Sequence, residues 1–246
     1  MNLNRNEYFV VGTDTEVGKT LISCALILKI KEQDSANKLV AGYKPVSAGT
    51  HTSPNGKLAN EDVESLCLAS NFQSQNQLTA EACCPFILNH PAAPNIVAVE
   101  ESKKLSLSRM IEGLVDLRKK STHMIVEGVG GFLVPLNEQE TTADFAEKIN
   151  LPIILVVGLR LGCLNHSLLT IEAIQKRNLT LAGWVANTID PDMLVKIENI
   201  ETLKKRIPAP LLGIIDWLPE DLQKEKHAPY SIEAMQLAAR SLRLPG

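Results

Sequence analysis

A chain of 246 residues with 45% hydrophobic and 22% charged residues can bury the core of one large α/β domain, and this balance excludes a disordered or membrane-embedded protein. The formal net charge of -3 comes from scattered Lys and Arg slightly outnumbered by Asp and Glu, so no basic patch marks a nucleic-acid partner. The longest apolar runs, such as 151–159, fall far short of the about 20 residues a helix needs to cross a bilayer, so no membrane partner is expected.

Residues 1–7 are polar and lack the zones of a signal peptide, which makes the cytoplasm the expected location. Apolar runs of strand length then recur at 8–11, 39–46, 124–127, 153–157, 182–186 and 211–215, separated by amphipathic helical stretches. This alternation predicts an α/β fold with a single doubly wound, mostly parallel sheet flanked by helices, spanning residues 1–246 as one domain. Segment 48–60, rich in Thr, Ser, Asn and Gly, reads as a mobile loop after the second strand. The run His90-Pro91-Ala92-Ala93-Pro94 excludes helix locally.

Between the first strand and the first helical stretch lies Gly12-Thr13-Asp14-Thr15-Glu16-Val17-Gly18-Lys19-Thr20, the strand, loop and helix context of a P-loop. Backbone donors from Glu16 to Leu21 are expected to cradle ATP phosphates, aided by the helix dipole. Lys19 is expected to bridge the terminal phosphate oxygens and the Thr20 hydroxyl to ligate Mg²⁺. The loop departs from the standard pattern, which would put glycine at position 13, where Thr13 stands. The five cysteines, Cys24, Cys67, Cys83, Cys84 and Cys163, form no CxxC pair and read as reduced packing residues. His90, His123 and His166 have no paired ligand spacing, which argues against zinc.

Six motifs together resemble the dethiobiotin synthetase family. Besides the phosphate loop they are Ala41-Gly42-Tyr43-Lys44-Pro45-Val46, Val126-Glu127-Gly128-Val129-Gly130-Gly131, Leu161-Gly162-Cys163-Leu164-Asn165-His166, Gly183-Trp184-Val185-Ala186-Asn187 and Pro208-Ala209-Pro210-Leu211-Leu212-Gly213. The resemblance implies a P-loop homodimer that turns 7,8-diaminononanoate, CO₂ and ATP into dethiobiotin with the help of Mg²⁺. It makes Lys44 catalytic beside Lys19, and Thr20, Asp62 and Glu127 the metal ligands, with Glu61 as the solvent-facing neighbour of Asp62. It assigns Gly128, Val129 and Gly130 to the phosphates, and Asn187, Thr188, Asp216, Trp217 and Leu218 to the adenine side. Relatives often carry proline at the place of Asp216.

For substrate, the resemblance implies a hydroxyl at position 48. Ala48 stands there, so either Ser47 substitutes or one hydrogen bond is absent. Gly162, Cys163, Leu164 and Asn165 of the partner subunit are implied to hold the substrate carboxylate, and a helix N-terminus suits that anion. The competing reading is a partition or iron-protein type P-loop ATPase switch. Such switches carry a lysine at the place of Asp14, and its absence, together with Lys44, argues against that reading.

Overall fold

Strand β1 (Glu7–Gly12) is buried from Tyr8 onward, as a parallel strand covered on both faces must be. The computed structural model to which it belongs describes residues 6–33, 39–53, 56 and 58–246. Helix α1 (Lys19–Gln33) starts directly after the phosphate loop. The expected second strand is split in two: β2 (Val40–Tyr43) joins the main sheet, and β3 (Val46–Ala48) leaves it. Pro45 explains the break, since it has no amide to donate to a ladder and restricts the backbone of Lys44 before it. The chain therefore turns a corner at Lys44.

The segment expected as a loop carries a short antiparallel pair, β4 (His51–Thr52) and β5 (Leu58–Ala59), while its residues 54, 55 and 57 lie outside the described residues. Helix α2 (Glu61–Asn71) begins at Asn60, whose side chain accepts from the Asp62 and Val63 amides. Then α3 (Ala80–Cys83) and β6 (Phe86–Leu88) bring the chain back to pair with β3. The proline-bounded run stays out of helix only as far as Ala93. Pro94 opens α4 (Pro94–Glu100), because the first helical position needs no amide donor.

Regular alternation follows: α5 (Leu107–Lys120), β7 (His123–Glu127), α6 (Thr142–Ile149), β8 (Ile153–Leu159), α7 (Cys163–Lys176), β9 (Leu181–Thr188), α8 (Lys196–Arg206), β10 (Leu211–Ile215) and α9 (Ile232–Arg240). The six strands read from the sequence form one parallel sheet in the order β10-β9-β8-β1-β7-β2. Helix α1 packs against β7 on one side and against α2 and α9 on others. That enclosure explains why Leu21, Ile22, Ala25, Leu26 and Leu28 are buried around its whole circumference and why the helix has no polar stripe.

At the edge strand β10, Gly213 bridges Leu242 and the Arg243 amide donates to the Leu212 carbonyl at 3.0 Å, so the C-terminal tail covers an edge otherwise open to pairing. A Cβ on Gly213 would sit 2.2 Å from the Ser241 carbonyl oxygen, which is backbone and cannot swing aside. Gly213→Ala is expected to displace this tail and to cost about 1–3 kcal/mol, the usual range for overpacking, read as a lower urea midpoint at unchanged slope.

Candidate active site

The loop after β1 folds back on itself. The Thr13 amide donates to the Val156 carbonyl at 3.0 Å, the Thr15 amide to Asp14 Oδ1 at 2.8 Å, and Lys19 Nζ to the Asp14 carbonyl at 2.8 Å. Gly18 takes φ 88°, and a Cβ there would meet Asn187 Nδ2 at 2.1 Å, so only glycine fits between loop and β9. Burial and the nearby Lys44 ammonium lower the Lys19 pKa to about 8, against the opposing pull of Glu127, Asp62 and Asp14. A polyanion in the cleft would reverse that depression.

Next to the loop, three oxygen-bearing side chains and one ammonium converge from four elements. Thr20 in the first turn of α1 has its Oγ1 at 2.8 Å from both Asp62 Oδ1 and Glu127 Oε1, although its single proton can serve only one of them. Lys44, at the corner after β2, places Nζ 2.6 Å from Glu127 Oε1 and 3.1 Å from Asp62 Oδ2. Lys44 is 2% exposed and Glu127 0%, so neither can be solvated by bulk water. Burial alone would lower the Lys44 pKa, but Asp62 and Glu127 outweigh it and hold the ammonium well above the usual lysine range. Burial likewise works to raise the Asp62 carboxyl, and Lys44 and Thr20 bring it below its usual value.

Glu127 Oε2 is buried and has no hydrogen-bond partner, an orphan acceptor beside a hydroxyl and a second carboxylate. A set of hard oxygens with a spare lone pair is what a small divalent cation such as Mg²⁺ takes, leaving room for phosphate and water ligands. The positions of these oxygens are fixed from outside the cluster. Asn60 caps α2, receives a hydrogen bond from Ser47 Oγ at 2.9 Å and donates to the Gly49 carbonyl at 2.6 Å. The Ser47 proton is thus engaged with Asn60, while its oxygen lone pairs can still accept a hydrogen bond on the cleft side.

These groups border a cleft of about 770 Å³ lined by Glu16, Gly18, Lys19, Thr20, Lys44, Ser47, Ala48, Asp62, Val129 and Gly130 among the expected residues. Others stand elsewhere. Val17 and Leu21 are buried in the core, and Asn187 uses its amide to donate to the Val17 carbonyl at 2.9 Å. Thr188 is buried with an unpartnered hydroxyl, Asp216 is exposed and 3.5 Å from Lys196, and Trp217 and Leu218 follow it away from the cleft lining. Gly162, Cys163, Leu164 and Asn165 open α7 without a side-chain cap and do not line this chain's own cleft.

Several lining residues carry no signal in the local sequence. Asp14 is held by Arg160 at 2.5 Å across the loop. Glu61 does not face solvent as expected: it lines the cleft rim and pairs with Lys224 at 3.3 Å, while Tyr230 closes the same side. The acidic pair Glu61-Asp62 was the one local hint, since both carboxylates open the same helix.

Residues 6–225 match the family model described as an AAA domain. An ATP-dependent dethiobiotin synthetase of Aromatoleum aromaticum is 45% identical over 239 residues, covering 97% of each chain. One from Escherichia coli K12 is 43% identical over 223 residues, covering 91% of this chain and 96% of the relative. Among solved structures, a ParA family ATPase from Chlorobium tepidum (TM-score 0.52, 12% identity, 96% of this chain and 90% of that one) has the same fold. So does the cell division ATPase MinD of Pyrococcus furiosus (TM-score 0.52, 16% identity, 97% of this chain and 98% of that one). With a phosphate loop opposite a buried lysine and near-complete coverage of the synthetases at such identity, the chain belongs to the dethiobiotin synthetase family.

Proposed function

We propose that this chain closes the ureido ring of dethiobiotin from 7,8-diaminononanoate, CO₂ and ATP, and that the Lys44 ammonium between Glu127 and Asp62 is the feature that carries this reading. One substrate amine captures CO₂ as a carbamate, ATP phosphorylates it to a carbamic-phosphoric anhydride, and the second amine attacks the carbon and expels phosphate. Each step asks the protein to hold reactants in line and to neutralise moving anionic charge. Lys19 on the loop side and Lys44 on the sheet side both line the cleft and would supply that charge.

Thr20, Asp62 and Glu127 would hold Mg²⁺, which supplies charge neutralisation on the phosphate oxygens. The glycines at 128, 130 and 131 let backbone approach phosphate closely. The adenine-side assignment of Asn187, Thr188 and Asp216 to Leu218 belongs to the same reading. Supporting it, Asn187 lies against the phosphate loop, its side-chain amide donating to the Val17 carbonyl at 2.9 Å. We take residues 1–246 as one domain acting in the cytoplasm. No described helix is long and apolar enough to cross a membrane.

The substrate carboxylate is assigned to Gly162, Cys163, Leu164 and Asn165 of a second copy in a homodimer. Two observations support this. The start of α7 has no side-chain cap, although the Cys163 amide donates to the Arg160 carbonyl at 3.0 Å, and Leu161, Leu169, Leu194, Val195 and Ile197 around α7 and α8 expose apolar surface that a partner would cover. The switch reading gains only the shared fold of the partition-type ATPases, and at Asp14 this chain has an anion paired to Arg160.

Two outcomes check the reading. Lys44→Gln is expected to lower turnover by roughly 100-fold or more, measured as diamine-dependent phosphate release, because transition-state charge loses its partner. The same change leaves Glu127 buried without its cation, so in magnesium-free buffer stability is expected to fall by about 3 kcal/mol or more in a denaturant titration. Phosphate release indifferent to the diamine would favour the switch. For the shared site, Asn165→Asp puts an anion opposite the substrate carboxylate and is expected to inactivate. Mixing Lys44→Gln with Asn165→Asp chains is then expected to restore turnover through heterodimers with one intact site; no recovery would remove the partner's role.

A further inference from the structure

On the rim of the cleft, three segments far apart in the chain bring imidazoles and a carboxylate together. His51 on β4, Glu61 in the first turn of α2 and His227 before α9 each offer one ligand atom, and these atoms lie within 4.8 Å of one another. His51 Nδ1 stands 3.8 Å from Glu61 Oε2 and is buried without a hydrogen-bond partner. The His227 ring stacks on His51 with centroids 5.9 Å apart. The other ring nitrogen of His51, Nε2, faces Glu64 Oε2 at 3.3 Å. A carboxylate there favours the tautomer with its proton on Nε2, which turns the Nδ1 lone pair toward Glu61 and His227. Glu61 divides its work in the same way: Oε1 is held by Lys224 at 3.3 Å, and Oε2 points to the histidines.

We infer that His51, Glu61 and His227 form a binding site for one divalent transition-metal ion of the zinc class, separate from the oxygen set of Thr20, Asp62 and Glu127. Two neutral imidazoles and a carboxylate match the ligands such ions prefer, whereas magnesium favours oxygen alone. The spacing also fits. Bonds of about 2.0–2.2 Å in a tetrahedron separate ligand atoms by roughly 3.4 Å, so the observed 3.8 Å closes with a small side-chain rotation. A bound ion would tie the β4–β5 pair and the segment carrying Lys224 and Tyr230 to the start of α2, whose Glu61 lines the cleft together with Lys224 and Tyr230.

The test uses untagged, chelator-treated full-length protein titrated calorimetrically with zinc chloride in excess magnesium. The expected result is uptake of a single ion per chain and a raised Tm. His227→Ala and, separately, His51→Ala are expected to weaken uptake by more than about 10-fold, since even outer-shell partners of metal sites contribute 10–100-fold. Both variants should keep the wild-type Tm without zinc, which separates ligand loss from unfolding. Cobalt(II) in place of zinc should give ligand-field bands without the thiolate charge-transfer band that binding at Cys67 would produce. Absence of uptake, uptake undiminished in both variants, or a thiolate band would each overturn the site.

Discussion

The architecture of the site depends on one buried contact, the Lys44 ammonium set between the Glu127 and Asp62 carboxylates. Taking a carboxylate such as Glu127 out of water costs several kcal/mol, and a nearby positive charge with good geometry is what offsets it. Lys44 supplies that charge and also keeps two anions and a hydroxyl within reach of one another. A set of hard oxygens that could take a small cation is thereby held together in advance, with the ammonium that gathers it lining the same cleft as the phosphate loop. On the proposed function the same side chain would serve stability and chemistry, and a single truncation would not separate the two effects.

The sheet makes this convergence possible. With β1 between β7 and β8, the chain reaches β2 by passing over the position later filled by β7, and the crevice opens beyond the carboxyl ends of these strands. Glu127 ends β7, Lys44 follows β2, and Thr20 lies in the first turn of the helix that follows β1. Asp62 arrives from outside the sheet, and its placement is the least assured by topology. It is secured instead by the Asn60 cap, held in turn by Ser47 and Gly49 on the far side of the Pro45 corner. The body of α2 packs directly on β2, where the Gly42 amide donates to Ser70 Oγ at 2.9 Å, so the main sheet holds the helix and the cap holds its first turn.

How far the sequence could be read follows the range of the interactions involved. Strands buried on both faces, such as β8, announce themselves as unbroken apolar runs, and the phosphate loop is specified by adjacent residues. The split at Pro45 is local too, yet the run 39–46 reads as one strand because a short apolar stretch does not reveal which sheet it joins. Long-range pairs left no local trace: Asp14 with Arg160, Glu61 with Lys224, and His51 against His227. His90, His123 and His166 have no ligand spacing, whereas His51 and His227, the two histidines that meet, lie too far apart in the chain for spacing to reveal them. Ser47 lines the cleft as its neighbourhood suggested, but its link to Asn60 thirteen residues away is a further long-range pair the local sequence does not show.

Glu61 and Asp62 are adjacent and chemically alike, and they serve opposite sides of one wall. Successive residues on a helix diverge by about 100°, so a carboxylate aimed at Thr20 and Lys44 forces its neighbour to aim elsewhere, here toward His51 and Lys224. The first turn of α2 is therefore a rigid link between the cleft centre and its rim. Any tilt of that turn moves both carboxylates together, through an N-cap worth about 1 kcal/mol and backbone bonds that resist bending.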